Sequence, residues 1–185
     1  MTEKLNIALI GCGGWGKNIA RNLHQLGALA CIYDSDQNLS KKLNQDFKLH
    51  DYTINDIFKN ENIQALVIAS SAKTHRYIAE EALQNNKDVL IEKPFCLSLN
   101  DAITLSKLAI KKNKVLMAGH LLNYHNAFIK MKDLIREGKI GETKNIRAHR
   151  LALGAIRSHE SVIYDLAVHD VSMILAIMQY LPLKL

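Results

Sequence analysis

The chain has 185 residues, 48% of them hydrophobic and 23% charged, with a formal net charge of +6. This composition is typical of a globular protein, and no apolar run approaches the roughly 20 residues that a bilayer-spanning helix needs. The lysines are spread over separate polar stretches, which indicates solvated faces rather than a nucleic-acid site.

Strands and helices alternate along residues 1–120. Unbroken apolar runs predict strands, and apolar residues at helical spacing predict helices between them. The predicted strands are residues 5–10, 28–33, 65–69, 88–91 and 115–119, and the clearest later helices are residues 74–85 and 101–112. Residues 52–58 are expected to form a short connection. Apolar strands alternating with helices favour a parallel sheet covered on both faces, so we predict a doubly wound α/β Rossmann domain.

A different pattern follows residue 120. A helix is predicted at residues 127–137, one extended strand at 143–153 and a long helix at 161–180. A lone strand cannot form a stable sheet without partners. Residues 121–185 are therefore expected to be an incomplete α+β substrate domain, and the chain to be a fragment or a truncated product.

A glycine-rich segment follows the first predicted strand. Gly11, Gly13 and Gly16 have the spacing at which the first glycine allows a tight turn, the second a close approach of pyrophosphate, and the third close helix packing. The N–H groups at the start of the next helix then face the phosphates. Gly14 and Trp15 complete this loop, and Trp15 either shields the pyrophosphate or only covers the helix start. The pattern predicts a dinucleotide site.

A carboxylate closes the second predicted strand. Asp34 lies 23 residues after Gly11, near the offset of roughly 20 residues at which an acidic side chain receives the ribose hydroxyls of NAD. It would repel a 2′-phosphate, and no arginine follows it closely, so NAD is favoured over NADP. The alternative is an aspartate that only caps the turn.

Two further places have the residue types of acid–base chemistry. Lys93, in Glu92-Lys93-Pro94, follows a strand at the sheet edge where open α/β sheets bind ligands. Asp165 and His169 are four residues apart in a predicted helix, so the carboxylate can orient the imidazole. Such a histidine beside a carbinol can take the hydroxyl proton as hydride leaves the carbon. A solvated lysine and a surface helix pair are the alternatives.

In this order, the motifs resemble those of the Gfo/Idh/MocA oxidoreductases, the glucose–fructose oxidoreductase and inositol dehydrogenase family. The resemblance spans the whole chain and includes the segments 69–75, 119–120 and 138–141. Asn126 stands where the family usually has proline, a departure expected to alter only the start of the next helix. The resemblance implies that Lys93 and His169 are the acid–base pair around the substrate carbinol, with Asp165 supporting them.

The resemblance also implies binding residues. Besides the glycine loop and Asp34, the implied cofactor contacts are Ser70, Ser71, Thr74, His75, Glu92 and Lys93. The implied substrate contacts are Asn123, Tyr124, Arg150, Arg157, Asp165 and His169.

Within the family, residues 119–125 and 150–157 are similar to members that oxidise nucleotide-activated amino sugars at C3 in surface-polysaccharide or lipid A synthesis. Arg150 and Arg157 suit a diphosphate through paired charge-assisted hydrogen bonds, although arginines without that role fit the pattern equally well. A sugar or sugar-nucleotide substrate is implied, with no nucleic-acid or membrane partner and with homo-oligomeric full-length relatives. The alternatives are an inactive nucleotide-binding remnant and a dehydrogenase of a free sugar or inositol.

The remaining composition signals concern metals and location. Cys12, Cys31 and Cys96 are far apart and form no Cys-x-x-Cys motif, so neither a zinc ribbon nor a redox dithiol is indicated, and no metal site is expected. The N-terminus lacks the basic, apolar and small-residue regions of a secretory signal. A cytoplasmic location is therefore expected.

Overall fold

A computed structural model of the protein describes residues 5–151 and 161–179. The chain divides into two compact units, Met1–Gly119 and His120–Leu185, and this division falls one residue before the predicted domain boundary. Across the described ranges, no helix is long and apolar enough to cross a bilayer.

The first unit is built on a parallel sheet of five strands in the order β2-β1-β3-β4-β5. The strands are β1 (Ile7–Ile10), β2 (Leu29–Tyr33), β3 (Ala65–Ile68), β4 (Asp88–Ile91) and β5 (Leu116–Ala118). The helices are α1 (Gly14–Gln25), α2 (Gln37–Phe47), α3 (Ile54–Lys59), α4 (Ala72–Gln84) and α5 (Leu99–Lys112). After β2 the chain crosses to the other side of β1, so the carboxyl ends of β1 and β3 form a switch point, where such sheets bind ligands.

Each face of the sheet has its own hydrophobic core, because successive strand residues point to opposite faces. In β1, Ala8 and Ile10 pack with apolar residues of α3, α4 and α5, whereas Leu9 packs with those of α1 and α2. All three residues are buried. The predicted doubly wound parallel fold is therefore confirmed.

One helix of this unit was predicted as a connection. α3 begins after Thr53, whose Oγ1 accepts a hydrogen bond from the backbone N–H of Asp56, while the Asp56 carboxylate accepts one from the N–H of Thr53. This reciprocal pair is a capping box, which satisfies two N–H groups at the helix start. With only six residues, α3 is too short for a helical repeat to show in the sequence.

The second unit contains two helices, α6 (Asn126–Arg136) and α7 (Val168–Met178). A 3₁₀ turn, Leu121–Tyr124, precedes α6, and a π-helical turn, Ile163–Ala167, precedes α7. The uniform α-helix predicted from residue 161 is therefore wrong at its start. α6 begins at Asn126, and the ring Nδ1 of His125 accepts a hydrogen bond from the N–H of Ala127 there.

The strand predicted at residues 143–153 is wrong over its described part. Residues 143–151 have no regular secondary structure. A strand forms only where a neighbour shares its hydrogen-bond ladder, and no other strand of this unit occurs among its described residues. Residues 152 and 153, and residue 180 of the predicted long helix, lie outside the described ranges.

Candidate nucleotide-binding and catalytic site

The glycine loop is packed tightly at two positions. Gly11 has φ +95°, and a Cβ built on it would lie 2.5 Å from the backbone nitrogen of Ser70. A Cβ on Gly16 would lie 2.2 Å from the carbonyl oxygen of Gly11. Both positions therefore require glycine, and together they press the loop against β3 and the start of α1.

The middle of the loop is open instead. A Cβ on Gly13 or Gly14 would meet no described atom within 4 Å. Gly13 precedes α1, and among the described residues no side chain caps this helix and no acidic residue lies in its first turn. The start of α1 thus combines uncapped N–H groups and a partial positive charge with open space beside Gly13 and Gly14, which fits a pyrophosphate.

Asp34 holds the turn after β2. Its Oδ2 accepts hydrogen bonds from the N–H of Cys12 at 2.7 Å and from the Cys12 thiol at 3.3 Å, and its Oδ1 accepts one from the N–H of Asp36 at 2.9 Å. These hydrogen bonds hold the turn after β2, while the contact of Asp34 with ribose stays a prediction.

Hydrogen bonding also sets the charge of this carboxylate. Burial acts to raise the pKa of Asp34, but the hydrogen bonds from Cys12 and Asp36 outweigh it, and the pKa falls below its ordinary value. For Cys12, burial and the contact with Asp34 raise the thiol pKa to about 12. At neutral pH the pair is thus a carboxylate beside a neutral thiol.

A cavity of about 700 Å³ lies over the carboxyl ends of β1, β2 and β3. Predicted residues on its wall are Gly11, Gly13, Asp34, Ser70, Ser71 and Thr74. Ile54 of α3 and Tyr77 and Ile78 of α4 also line it. Sequence reasoning missed these three because no motif marks them, although Tyr77 is 72% exposed, an unusual state for a large aromatic side chain.

Hydroxyl groups cluster where α4 begins. The Oγ of Ser70 lies 2.8 Å from Oγ1 of Thr74, and Thr74 Oγ1 donates to the carbonyl oxygen of Ser71. This arrangement brings three predicted cofactor residues together on one side of the cavity.

Trp15 reaches from the glycine loop to the end of β4. Its indole N–H donates to Oε1 of Glu92 at 2.9 Å, and the ring remains 49% exposed. The backbone N–H of Lys93 donates to Oε2 of the same carboxylate at 3.3 Å. Trp15 therefore connects the predicted phosphate loop with the turn that carries Lys93.

His75, in α4, is buried, with 1% of its area exposed. Its Nδ1 is 2.9 Å from the carbonyl oxygen of Pro94, and its Nε2 is 3.0 Å from that of Ser70. The ring does not line the cavity described above, unlike Ser70, Ser71 and Thr74.

Arg150 is engaged in an ion pair within the second unit. Its Nε and Nη2 donate to the two carboxylate oxygens of Asp170 at 2.9 and 2.8 Å. The Arg150 hydrogen bond lowers the pKa of Asp170. This paired contact favours the alternative in which Arg150 does not bind a diphosphate. Arg157, the other arginine considered for that role, lies outside the described residues.

The other predicted substrate residues lie at two places in the second unit, the start of α7 and the 3₁₀ turn before α6. Asp165 lies in the π-helical turn and His169 in the first turn of α7. The Oδ1 of Asn123 is buried without a hydrogen-bond partner in the described part of the chain, and Tyr124 is 64% exposed. Lys93 belongs to the first unit and His169 to the second.

Comparison with known proteins identifies the family. A family model described as "Oxidoreductase family, NAD-binding Rossmann fold" matches residues 5–120. The chain is 28% identical over 172 residues to UDP-N-acetylglucosamine 3-dehydrogenase of Acidithiobacillus ferrooxidans, covering 92% of this chain and 53% of that protein. It is 27% identical over 150 residues to 2,7-anhydro-N-acetylneuraminate hydratase of Escherichia coli, covering 79% and 40%.

Solved structures agree with this result. A crystal form of the Acidithiobacillus ferrooxidans UDP-N-acetylglucosamine 3-dehydrogenase superimposes with a TM-score of 0.87 at 27% identity, over 98% of this chain and 58% of that one. The chain spans about half the length of the curated relatives it matches. It belongs to the Gfo/Idh/MocA family of oxidoreductases, and its first unit is that family's NAD-binding Rossmann domain.

Proposed function

We propose that the chain is the cofactor-binding and catalytic part of an NAD-dependent dehydrogenase that acts on a sugar carbinol. The observation that supports this most is the open space over Gly13 and Gly14, next to an uncapped helix start and within the same loop that Asp34 holds. The N–H groups of that helix would bind the pyrophosphate, and Asp34 would accept the ribose hydroxyls. NAD, when bound, supplies the hydride acceptor.

The proposed preference for NAD follows from charge. The hydrogen bonds that Asp34 accepts keep its carboxylate ionised, and a fixed negative charge repels a 2′-phosphate. Ser35 and Asp36 follow, so no cation stands next to this carboxylate in the sequence to offset the repulsion.

Acid–base chemistry is assigned to the three residues that the family resemblance implies. His169 would accept the carbinol proton as hydride leaves the carbon, and Asp165 would hold the imidazole in the tautomer that can accept it. Lys93, carried by the turn after β4, would be the second acid–base group, as the family resemblance implies.

We further propose a nucleotide-activated amino sugar, oxidised at C3, as the substrate, within surface-polysaccharide or lipid A synthesis. One relative, named UDP-N-acetylglucosamine 3-dehydrogenase, supports this class. The name of a second contains an N-acetylated sugar without a nucleotide, so it supports only the N-acetylated sugar. The buried Oδ1 of Asn123 is an acceptor that a sugar hydroxyl or amide can satisfy.

A second candidate is a nucleotide-binding remnant without turnover. It is favoured by residues 143–151, which pair with no strand among the described residues.

Two measurements on the purified protein test these proposals. Titration with NADH should quench the emission of Trp15, the single tryptophan of the chain. NAD reduction should then be followed with UDP-N-acetylglucosamine, N-acetylglucosamine and myo-inositol as substrates. Turnover on the sugar nucleotide alone supports the proposal, and turnover only on a free sugar or inositol contradicts the substrate class. Binding without any turnover selects the remnant, and absence of NADH binding overturns both.

A further inference from the structure

His75 connects two segments of the site that lie far apart in the sequence. The ring is carried by α4, whereas its two hydrogen-bond partners are the carbonyl oxygens of Ser70, after β3, and Pro94, after β4. Neither carbonyl belongs to α4 (Ala72–Gln84). One buried side chain therefore holds two turns at the carboxyl edge of the sheet.

The Ser70 side of this connection leads to the glycine loop. Ser70 lines the cavity, and its backbone nitrogen lies so close to Gly11 that a Cβ there would be 2.5 Å away. The neighbouring N–H of Ala69 donates to the carbonyl oxygen of Ile10. Displacing Ser70 therefore moves the surface against which the glycine loop is packed.

The Pro94 side leads to the catalytic candidate. Pro94 follows Lys93, whose N–H donates to the Glu92 carboxylate. The same carboxylate accepts the indole N–H of Trp15. Fixing Pro94 thus fixes the turn that carries Lys93 and the contact between that turn and the phosphate loop.

The residue type suits this task. An imidazole has nitrogens on two sides of a rigid ring, so from one rotamer Nδ1 and Nε2 lie 2.9 and 3.0 Å from two carbonyl oxygens. The neutral ring donates to one of these oxygens, and the imidazolium donates to both. A phenyl ring of similar shape would leave both carbonyls without this partner, and a buried polar group without a partner is destabilising.

We propose that His75 is a positioning residue, which holds the cofactor loop and the Lys93 turn in one arrangement without touching cofactor or substrate. The inference rests on the proposed function, since this arrangement serves binding and chemistry only if the cavity takes NAD.

Three variants separate the two contacts. His75→Phe keeps the ring and removes both. His75→Asn places an amide near the position of Nδ1 and so keeps a donor for Pro94, whereas His75→Gln places an amide near Nε2 and keeps a donor for Ser70. Leu83→Ala, a cavity-creating change at a fully buried position of the same helix, is the matched control for lost stability alone.

Hydrogen–deuterium exchange of backbone amides is the first readout. In His75→Phe we expect residues 69–74 and 92–97 to exchange about tenfold faster, as after the loss of one buried hydrogen bond, with α1 unchanged. His75→Asn should restore protection in residues 92–97, and His75→Gln in residues 69–74. Leu83→Ala should not select these two segments. Unchanged exchange in His75→Phe, or equal protection of both segments in Asn and Gln, overturns the inference.

NADH affinity is the second readout. His75→Phe should weaken NADH binding by about tenfold, whereas Leu83→Ala, measured where it is fully folded, should bind as the unaltered protein does. Equal losses in both variants would show a general stability effect and contradict the inference. If the unaltered protein binds no NADH, the proposed function fails, while the exchange data still decide the role of His75. Should His75→Phe not fold, the Asn and Gln pair decides it.

Discussion

Asp34 holds the turn after β2 and also lines the cavity over the glycine loop. Its position was predictable, because the spacing from Gly11 is local in sequence and the chemistry of a ribose contact needs an acidic group there. The hydrogen bonds from Cys12 were not predictable, since no sequence pattern marks a thiol as a donor to that carboxylate.

We expect Asp34→Ala to weaken NAD binding more than NADP binding. Hydrogen bonds between a charged group and the ribose contribute about 1.5–3 kcal/mol, which NAD binding loses in the variant. NADP binding also loses the repulsion between the carboxylate and the 2′-phosphate, so its net loss is smaller. Calorimetric titration with both cofactors measures the preference. An unchanged ratio of the two affinities would contradict the assignment of Asp34.

The loop contact requires its own control. Asp34→Asn keeps an acceptor for the N–H of Cys12 while removing the charge, so it should shift the cofactor ratio in the same direction with a smaller loss of stability. Asp36→Ala removes the side chain that caps α2, where Asp36 accepts from Asn38 and Leu39. It should lower stability by about 1 kcal/mol and leave the cofactor ratio unchanged.

The buried thiols predict a dependence of stability on pH. The pKa of both Cys12 and Cys31 is raised to about 12, chiefly by burial, whereas an unfolded thiol titrates near 8.5. Between these values the folded state binds more protons, so its stability is complete below about pH 8.5 and falls as the pH rises toward 12.

The slope of that fall is measurable by denaturant unfolding from about pH 8 to 10. Each thiol adds up to about 1.4 kcal/mol per pH unit above its unfolded pKa. Cys31→Ala should make the fall shallower, because one titrating group is removed. A slope that is the same in Cys31→Ala and in the unaltered protein would show that other groups cause it.

At the scale of elements, sequence reasoning succeeded where a signal was long and local. The strands of four and five residues are continuous apolar runs, and the longer helices of the first unit have apolar residues at helical spacing. Both signals can be read from the sequence. The misses have a common cause. α3 depends on a cap and residues 143–151 depend on strand partners, and neither leaves a repeat in the sequence.

The α3 capping box gives a prediction at this scale. Thr53→Ala removes the side-chain acceptor for the N–H of Asp56 and should lower the free energy of unfolding by about 1 kcal/mol. Thr104→Ala is a matched control, because Thr104 Oγ1 only donates to the Asn100 carbonyl within α5. Its effect should stay within about 0.5 kcal/mol. Equal losses in the two variants would contradict the capping role.

Across the whole molecule, cofactor binding is assigned to the first unit, whereas the proposed catalytic residues come from both, Lys93 from the first and His169 and Asp165 from the second. The glycine loop, Asp34 and the cavity wall belong to Met1–Gly119, and the unit His120–Leu185 carries His169 and Asp165. The fold of the first unit followed from residues 1–120, because all five described strands of its sheet lie within them. In the second unit, the helix predicted at residues 127–137 corresponds to α6. The strand predicted at 143–153 does not form over its described part, since a strand pattern specifies structure only together with its neighbours.

This division predicts that binding and turnover can be separated. In a form of the protein that turns over substrate, Lys93→Met or His169→Ala should leave NADH affinity nearly intact and lower kcat by about a hundredfold or more, the usual contribution of a positioned acid or base. NADH titration and steady-state kinetics on the same preparations measure the two effects. Gly13→Ala should weaken NADH binding and leave kcat nearly unchanged, because its Cβ enters the open space where the pyrophosphate would lie.

Lys93→Met, His169→Ala and Gly13→Ala are interpreted together. Normal turnover in either Lys93→Met or His169→Ala removes that residue from the chemistry. Loss of NADH binding in both would show that the first unit does not bind the cofactor independently of these side chains. The Gly13→Ala variant then distinguishes the remaining cases, because a protein whose pyrophosphate lies elsewhere tolerates a methyl group at a position with no described atom within 4 Å.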